Sequence, residues 1–226
     1  MGVTLTNIIP NGSFEVNSDW SSTVYDTTEH YQGSRSSKLG PGSTISVTGQ
    51  VQSPVVGHQY YGRRYIKSQG TIQAADDRFE WYAGDGAGLN FVFAHNNGNY
   101  PDWTMQSSII TVSAVNGTSY RIRNFVVNAV NPCWTDCLMI IDLTAGFGSG
   151  NEPSKEWCDA NIPYFEGSKS FDFYIVTIPE IVSASFSPNP ANINQSTILS
   201  VQVNDQAIVL APENFQSNEI YSGEAS

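Results

Sequence analysis

From Ser34 to Ile178 the chain reads as short runs in which apolar and polar side chains take turns, separated by clusters of Gly, Asn, Pro and Ser. The stretch "RIRNFVVNAV" (121–130) sets Ile122, Asn124 and Val126 against Arg123, Phe125 and Val127. That is the period of two expected of a strand with two unlike faces. Further strand candidates are 34–39, 44–48, 60–67, 78–82, 89–94, 107–112, 138–143 and 170–178, with 119–128 overlapping most of the stretch just quoted. Between them lie turn signals such as "GPGS", "GDGAG", "HNNGNYPD" and "VNGT". Many short strands at this spacing predict two packed antiparallel sheets. The fold class expected is therefore all-β: a jelly-roll β-sandwich with one short helix and a short C-terminal β extension.

The helix is predicted within "DLTAGFGSGNEPSKEWCDANIPYFEG" (142–167). Asn151 or Glu152 can cap it, Pro153 suits its first turn, and Glu152 and Glu156 lie near the positive end of its dipole. Ile162-Pro163 ends it, because a residue before proline is pushed out of the helical region. A helix this short does not stand alone. It is expected to plug one open end of the sandwich, with Trp157 as the stopper.

After "VTIPE" the character changes. From Lys169 onward the chain has no further Lys or Arg, while Asp172, Glu180, Asp205, Glu213, Glu219 and Glu224 accumulate. Two strand-like runs flank "SPNPANINQ", and two strands alone are marginal in water. Residues 1–178 are thus read as one domain. Residues 179–226 are read as an extension that docks on the main domain, on another protein or on another copy. An unpaired strand edge there invites strand addition, and a homo-oligomer is expected.

Composition narrows the partners. Of the 226 residues only 14% are charged, 12% are aromatic, and the formal net charge is −11. Such a field repels a phosphate backbone, and "GRRYIK" (62–67) and "YRIR" (120–123) read as solvated strand faces, so no nucleic-acid partner is expected. No run approaches the roughly 18–20 apolar residues that span a bilayer, so no membrane role is expected either. No apolar run follows "MGVTLTN" (1–7), and a route without a signal peptide is expected. Cys133 and Cys137 would lie about 13 Å apart on an extended strand, too far for a disulfide. With Cys158, they are expected to be reduced thiols.

Catalytic signals are weak. His30, His58 and His95 sit in polar turns with no Gly-x-Ser-x-Gly elbow or paired histidine beside them. Asp76, Asp77 and Glu80 could be imagined as glycosidase acids, but in a chain with 21 acidic residues nothing singles them out. The protein is not expected to be an enzyme.

"NIIPNGSFE" (7–15), followed by Trp20, resembles the start of carbohydrate-binding modules of the β-jelly-roll type attached to cellulases and xylanases. The resemblance continues through "GSRSSKL" (33–39) and, more loosely, to "MIIDLT" (139–144), covering about residues 7–144. It implies a structural calcium ion held by the carboxylates of Glu15 and Asp142 with backbone carbonyls near Gly33, and a buried Trp20. A second stretch, "DLTAGFGSGNEPSKEWCD" (142–159), resembles a segment of tail and accessory proteins from phages of Gram-positive bacteria. It implies a virion protein, assembled in the bacterial cytoplasm and released by lysis.

Sugar binding needs exposed aromatic planes beside polar groups. Tyr100 and Trp103 in "NNGNYPDWT" are the first candidates. Trp81, Tyr82 and Trp134 follow, with Arg64 as a hydroxyl-directed fork; Trp81 and Tyr82 cannot share a groove, since strand neighbours face opposite ways. The function expected is a phage virion adhesion protein that recognises host cell-surface polysaccharide and contacts other virion proteins through its extension. The alternative is a purely structural capsid or tail protein without sugar binding.

Overall fold

The computed structural model describes residues 2–72, 77–83, 90–94, 98–177, 180–187, 198–204 and 208–212. His95, Asp76 and the C-terminal "NEIYSGEAS" lie outside them. In chain order the strands begin with β1 (Gly2–Thr6), β2 (Trp20–Ser21), β3 (Val24–Asp26), β4 (Ser36–Leu39), β5 (Gly42–Thr48) and β6 (Gln59–Ser68). Next come β7 (Thr71–Ile72), β8 (Asp77–Ala83), β9 (Phe91–Ala94), β10 (Gly98–Asn99), β11 (Thr104–Thr111), β12 (Tyr120–Ala129) and β13 (Cys133–Asp142). The helices α1 (Leu143–Phe147) and α2 (Lys155–Asn161) precede β14 (Ser168–Thr177), β15 (Glu180–Ser187), β16 (Ile198–Asn204) and β17 (Ile208–Pro212). The chain divides into two compact units: Thr4–Ser170, and a second formed by Met1–Val3 with Phe171–Ser226.

The larger unit is a jelly-roll sandwich. One five-stranded sheet runs β11-β6-β13-β4-β3 and the other β2-β5-β12-β8-β9. Consecutive strands therefore cross between layers at β2 to β3, β4 to β5, β5 to β6, β11 to β12 and β12 to β13. β6 is the axis of the first sheet, paired along its length with β11 and with β13. β12 plays that part in the second, between β5 and β8. The inner faces meet in a core of Tyr60, Phe79, Trp81, Phe93, Tyr120, Ile122 and Ile140, among others. As the alternation predicts, Ile122, Asn124 and Val126 all point inward and are fully buried.

The opening motif works as a structural lock. Asn7 is buried and uses its whole amide: Nδ2 donates to the carbonyls of Leu138 and Phe165, and Oδ1 accepts from the N–H groups of Ile9 and Ile140. Phe14 packs 5.0 Å from Trp20, whose indole N–H donates to the carbonyls of Pro10 and Asn11. Trp20 is core, as expected.

Two helices are present where one was expected. In α1, Asp142 is the N-cap and accepts from the Ala145 N–H. Five residues containing a Thr and a Gly carry too little helical signal to be read from sequence. α2 starts later than predicted, because Ser154 and not Asn151 or Glu152 provides the cap oxygen, to Trp157 N–H. Its end at Ile162 is as predicted. Trp157 is half-buried and meets Phe147 of α1 edge-on at 5.9 Å. All three cysteines are free and buried.

In the smaller unit, β14 pairs antiparallel with β17, from Phe173↔Pro212 to Thr177↔Ile208. β15 and β16, the two strand-like runs of the sequence, form an antiparallel pair from Glu180↔Asn204 to Ser187↔Ile198.

Candidate functional site

Each strand of the sandwich shows a second face away from the core, and on β6 that face gathers chemistry. Tyr60, Gly62, Arg64 and Ile66 point inward, so Tyr61, Arg63, Tyr65 and Lys67 point outward. Gly62 is required by the inner face: a Cβ there would meet the Phe93 ring at 2.1 Å.

The outward row is built over by two segments. The loop after β3 lays Tyr31 flat on Tyr65, with ring centroids 3.6 Å apart and planes at 12°. Trp103, just before β11, tilts toward the same Tyr31 at 6.1 Å. What holds the loop there is Asp136 of β13. Its Oδ2 accepts from the backbone N–H groups of Tyr31 and Gln32, and its Oδ1 from that of Cys137. A bulge between Asp136 and Met139, with Cys137 at φ 52°, breaks the ladder at this point. Burial pushes the Asp136 carboxyl up to about 6, against the downward pull of those N–H donors. Tyr65, also desolvated, is pushed up to about 12.

The second segment is α2 and the turn after it. Asp159 accepts from Tyr61 Oη at 2.8 Å and from Lys155 Nζ at 2.6 Å. Burial raises its pKa, but the hydrogen bonds from Lys155, Ser107 and Tyr61 outweigh that and lower it overall. Arg63 reaches the Ile162 carbonyl at 2.7 Å through one terminal nitrogen. The two segments and the sheet enclose a cavity of about 340 Å³ lined by Tyr31, Gln32, Arg63, Tyr65, Asp159 and Tyr164, with Ala160, Ile162 and Pro163. Tyr31 remains 43% exposed at its mouth. A neighbouring cleft of about 440 Å³ shares Asp159 and adds Tyr100, Gln106, Ser107 and Lys155. An exposed aromatic plane beside several polar groups can stack on one face of a pyranose and hydrogen-bond its hydroxyls.

The sequence candidates distribute differently from expectation. Trp103 belongs to the aromatic group and Tyr100 lines the neighbouring cleft. Trp81 is fully buried between Tyr60 and Tyr120 and is not available to a ligand. Trp134 is also buried; its indole N–H donates to Asp26, and Lys38 stands over its ring. Arg64 faces the core, paired with Asp77 and bonded to Gln106 and Asn124. For Trp81 and Arg64 the expectation is corrected by register, since an inward strand position is a core position, whatever the residue; Trp134 stands on the outer face beside Lys67 and is covered there by Asp26 of β3 and Lys38 of β4. Tyr82 lies on the outer face of the other sheet under the Arg123 guanidinium, 4.4 Å away, and apart from the cavity. Tyr31, Tyr65 and Arg63 were missed. "YYGRRYIKS" carries an aromatic in both registers, so its pattern does not say which arginine faces out.

Glu15 and Asp142 share no partner. Glu15 accepts from Ser34 and Arg35 N–H groups and the Ser34 hydroxyl, and Gly33 is needed because a Cβ there would meet Glu15 Oε1 at 2.3 Å. Asp142 caps α1 and lies 2.8 Å from His58 Nδ1. Among the described residues no three His, Cys, Asp or Glu side chains converge.

No protein-family model matches the chain, and no curated protein matches it in sequence. Among solved structures it is similar to a Family 16 Carbohydrate Binding Module-2, at TM-score 0.46 and 15% identity over 59% of this chain and 99% of that one. The CBM22-1 xylan-binding domain from Paenibacillus barcinonensis Xyn10C aligns at TM-score 0.43 and 13% identity, over 61% of this chain and 92% of that one. The enzymatically active domain of Bacteriophage CBA120 tailspike protein 4 aligns at TM-score 0.43 and 14% identity, over 60% and 21% of the two chains. At these scores the likenesses carry nothing for function; the side chains on the outer face of β6 do.

Proposed function

We propose that this chain is a non-catalytic carbohydrate-binding protein of a phage particle that adheres to polysaccharide on the host surface. One observation carries this reading: a stacked Tyr31–Tyr65 pair with Trp103 alongside, set at the mouth of a polar cavity on an outward sheet face. Catalysis is not part of it. Asp159, the carboxylate in the cavity wall, is held ionised by Lys155 and Tyr61 and so has no proton to give as a general acid. The phage setting is supported by the segment 142–159, whose resemblance to virion proteins ends on Asp159 of this wall. The extension after residue 178 is proposed to contact other virion proteins or further copies of the chain.

A pull-down with host cell walls, supported by a glycan array, tests the reading. The wild-type chain is expected to bind, and Tyr31→Ala and Trp103→Ala to lose binding while remaining folded. Wild type that binds no saccharide would leave the purely structural virion role. A calcium ion on Glu15 and Asp142 is proposed alongside. Calcium takes hard oxygen ligands, and here it has to draw these carboxylates from their protein donors. The melting temperature is expected to fall with EDTA and recover with calcium; indifference to both rules the ion out.

A further inference from the structure

Arg63 is only 4% exposed, yet no carboxylate lies within salt-bridge distance of it among the described residues. One terminal nitrogen donates to the Ile162 carbonyl and makes a long contact with Met105 Sδ, the guanidinium stands 5.9 Å from the Tyr65 ring, and Nε has no hydrogen-bond partner. The nearby acids are committed elsewhere. Asp159 is neutralised by Lys155, and Asp136 is occupied by three backbone N–H groups. A buried cation with no anion is costly, because desolvation is not offset by Coulombic attraction. In a cavity wall it is also the arrangement that a bound anion would complete, since a guanidinium fork matches a carboxylate or phosphate.

We infer that the saccharide taken by this site is anionic, with its carboxylate or phosphodiester group on Arg63 and a sugar ring on Tyr31. This rests on the proposed carbohydrate-binding role and names the class of glycan. The overall charge of −11 does not oppose it at short range, because surface charges beyond about 8–10 Å are screened at physiological salt.

The test measures binding of the full chain to three polymers at physiological ionic strength: polygalacturonate, poly(glycerol phosphate) and neutral xylan. Wild type is expected to prefer one or both anionic polymers, with affinity falling as salt rises; which one it prefers tells carboxylate from phosphodiester. Arg63→Gln is expected to lose at least about tenfold on the preferred anionic polymer, the worth of one charge-assisted fork, and so to lose most of the wild type's preference for it over xylan. Arg63→Lys, which keeps the charge, retains salt-dependent binding and guards against a folding defect in the Gln variant. Equal affinity for xylan and the anionic polymers, with Arg63→Gln affecting all alike, would overturn the inference while leaving sugar binding intact. Failure of wild type to bind any saccharide would overturn both.

Discussion

Arg63 and Arg64 are neighbours in the chain and stand on opposite faces of β6. Arg64, at 0% exposure, is matched group for group: Asp77 takes its charge, Gln106 and Asn124 accept from its other nitrogens, and Asn124 is in turn fixed by Thr135. Arg63 is almost as buried and has one carbonyl, one sulfur and its aromatic neighbours Tyr61 and Tyr65, but no carboxylate. The inner face holds a polar knot inside an aromatic core that bridges the two sheets. The outer face leaves hydrogen-bonding capacity unspent beside exposed aromatics. A buried charge that is fully answered is architecture; one left unanswered on a cavity wall calls for a ligand.

The sharpest way to break this contrast is Asp77→Ala. It strands Arg64 in the core, and a loss of about 3–5 kcal/mol of unfolding free energy is expected in a denaturant titration. Arg63→Gln, by comparison, removes a charge that had no carboxylate partner and forfeits one hydrogen bond to the Ile162 carbonyl, and is expected to cost about 1.5 kcal/mol. Equal losses from the two changes would mean that Arg63 has a structural partner after all.

Asp136 offers a smaller effect with a distinct signature. Folding raises its pKa to about 6, so the folded chain holds more protons than the unfolded one between roughly pH 4 and 6. Its contribution to stability is complete below that window and is lost as pH rises through it, with a slope on the order of 1 kcal/mol per pH unit. Carboxylates such as Asp159, whose pKa is lowered, contribute in the opposite sense. Unfolding free energy followed against pH is expected to lose this component in Asp136→Asn, and an unchanged profile would assign the proton elsewhere. A small stability change is expected from Tyr31→Ala, about 1 kcal/mol from the lost ring pair, with saccharide binding lost. Binding kept in that variant would move the sugar away from the Tyr31 ring.

Much of the sandwich could be read in advance because a two-residue period survives in strands such as β12, where Ile122, Asn124 and Val126 all turn inward. β13 defeats that reading: nine of its ten residues are buried, so covered faces on both sides erase the alternation. The site was less legible for a related reason. Tyr31 comes from a loop whose position is set by Asp136, 105 residues away, and no local pattern carries that distance. Trp81 and Trp134 looked like platforms because a tryptophan's chemistry is visible in sequence and its burial is not. The lone predicted helix became two because a carboxylate at 142 can start a turn that propensity would never propose.

Asn7 links backbone groups 131, 133 and 158 residues further along. Contacts of such separation are slow to form, since a long loop must close before they reward it. During synthesis the shell cannot be sealed until Phe165 has left the ribosome, so nearly the whole sandwich waits on one amide near its beginning. A nascent chain halted before that residue should stay open to proteases, while one released just beyond it becomes resistant.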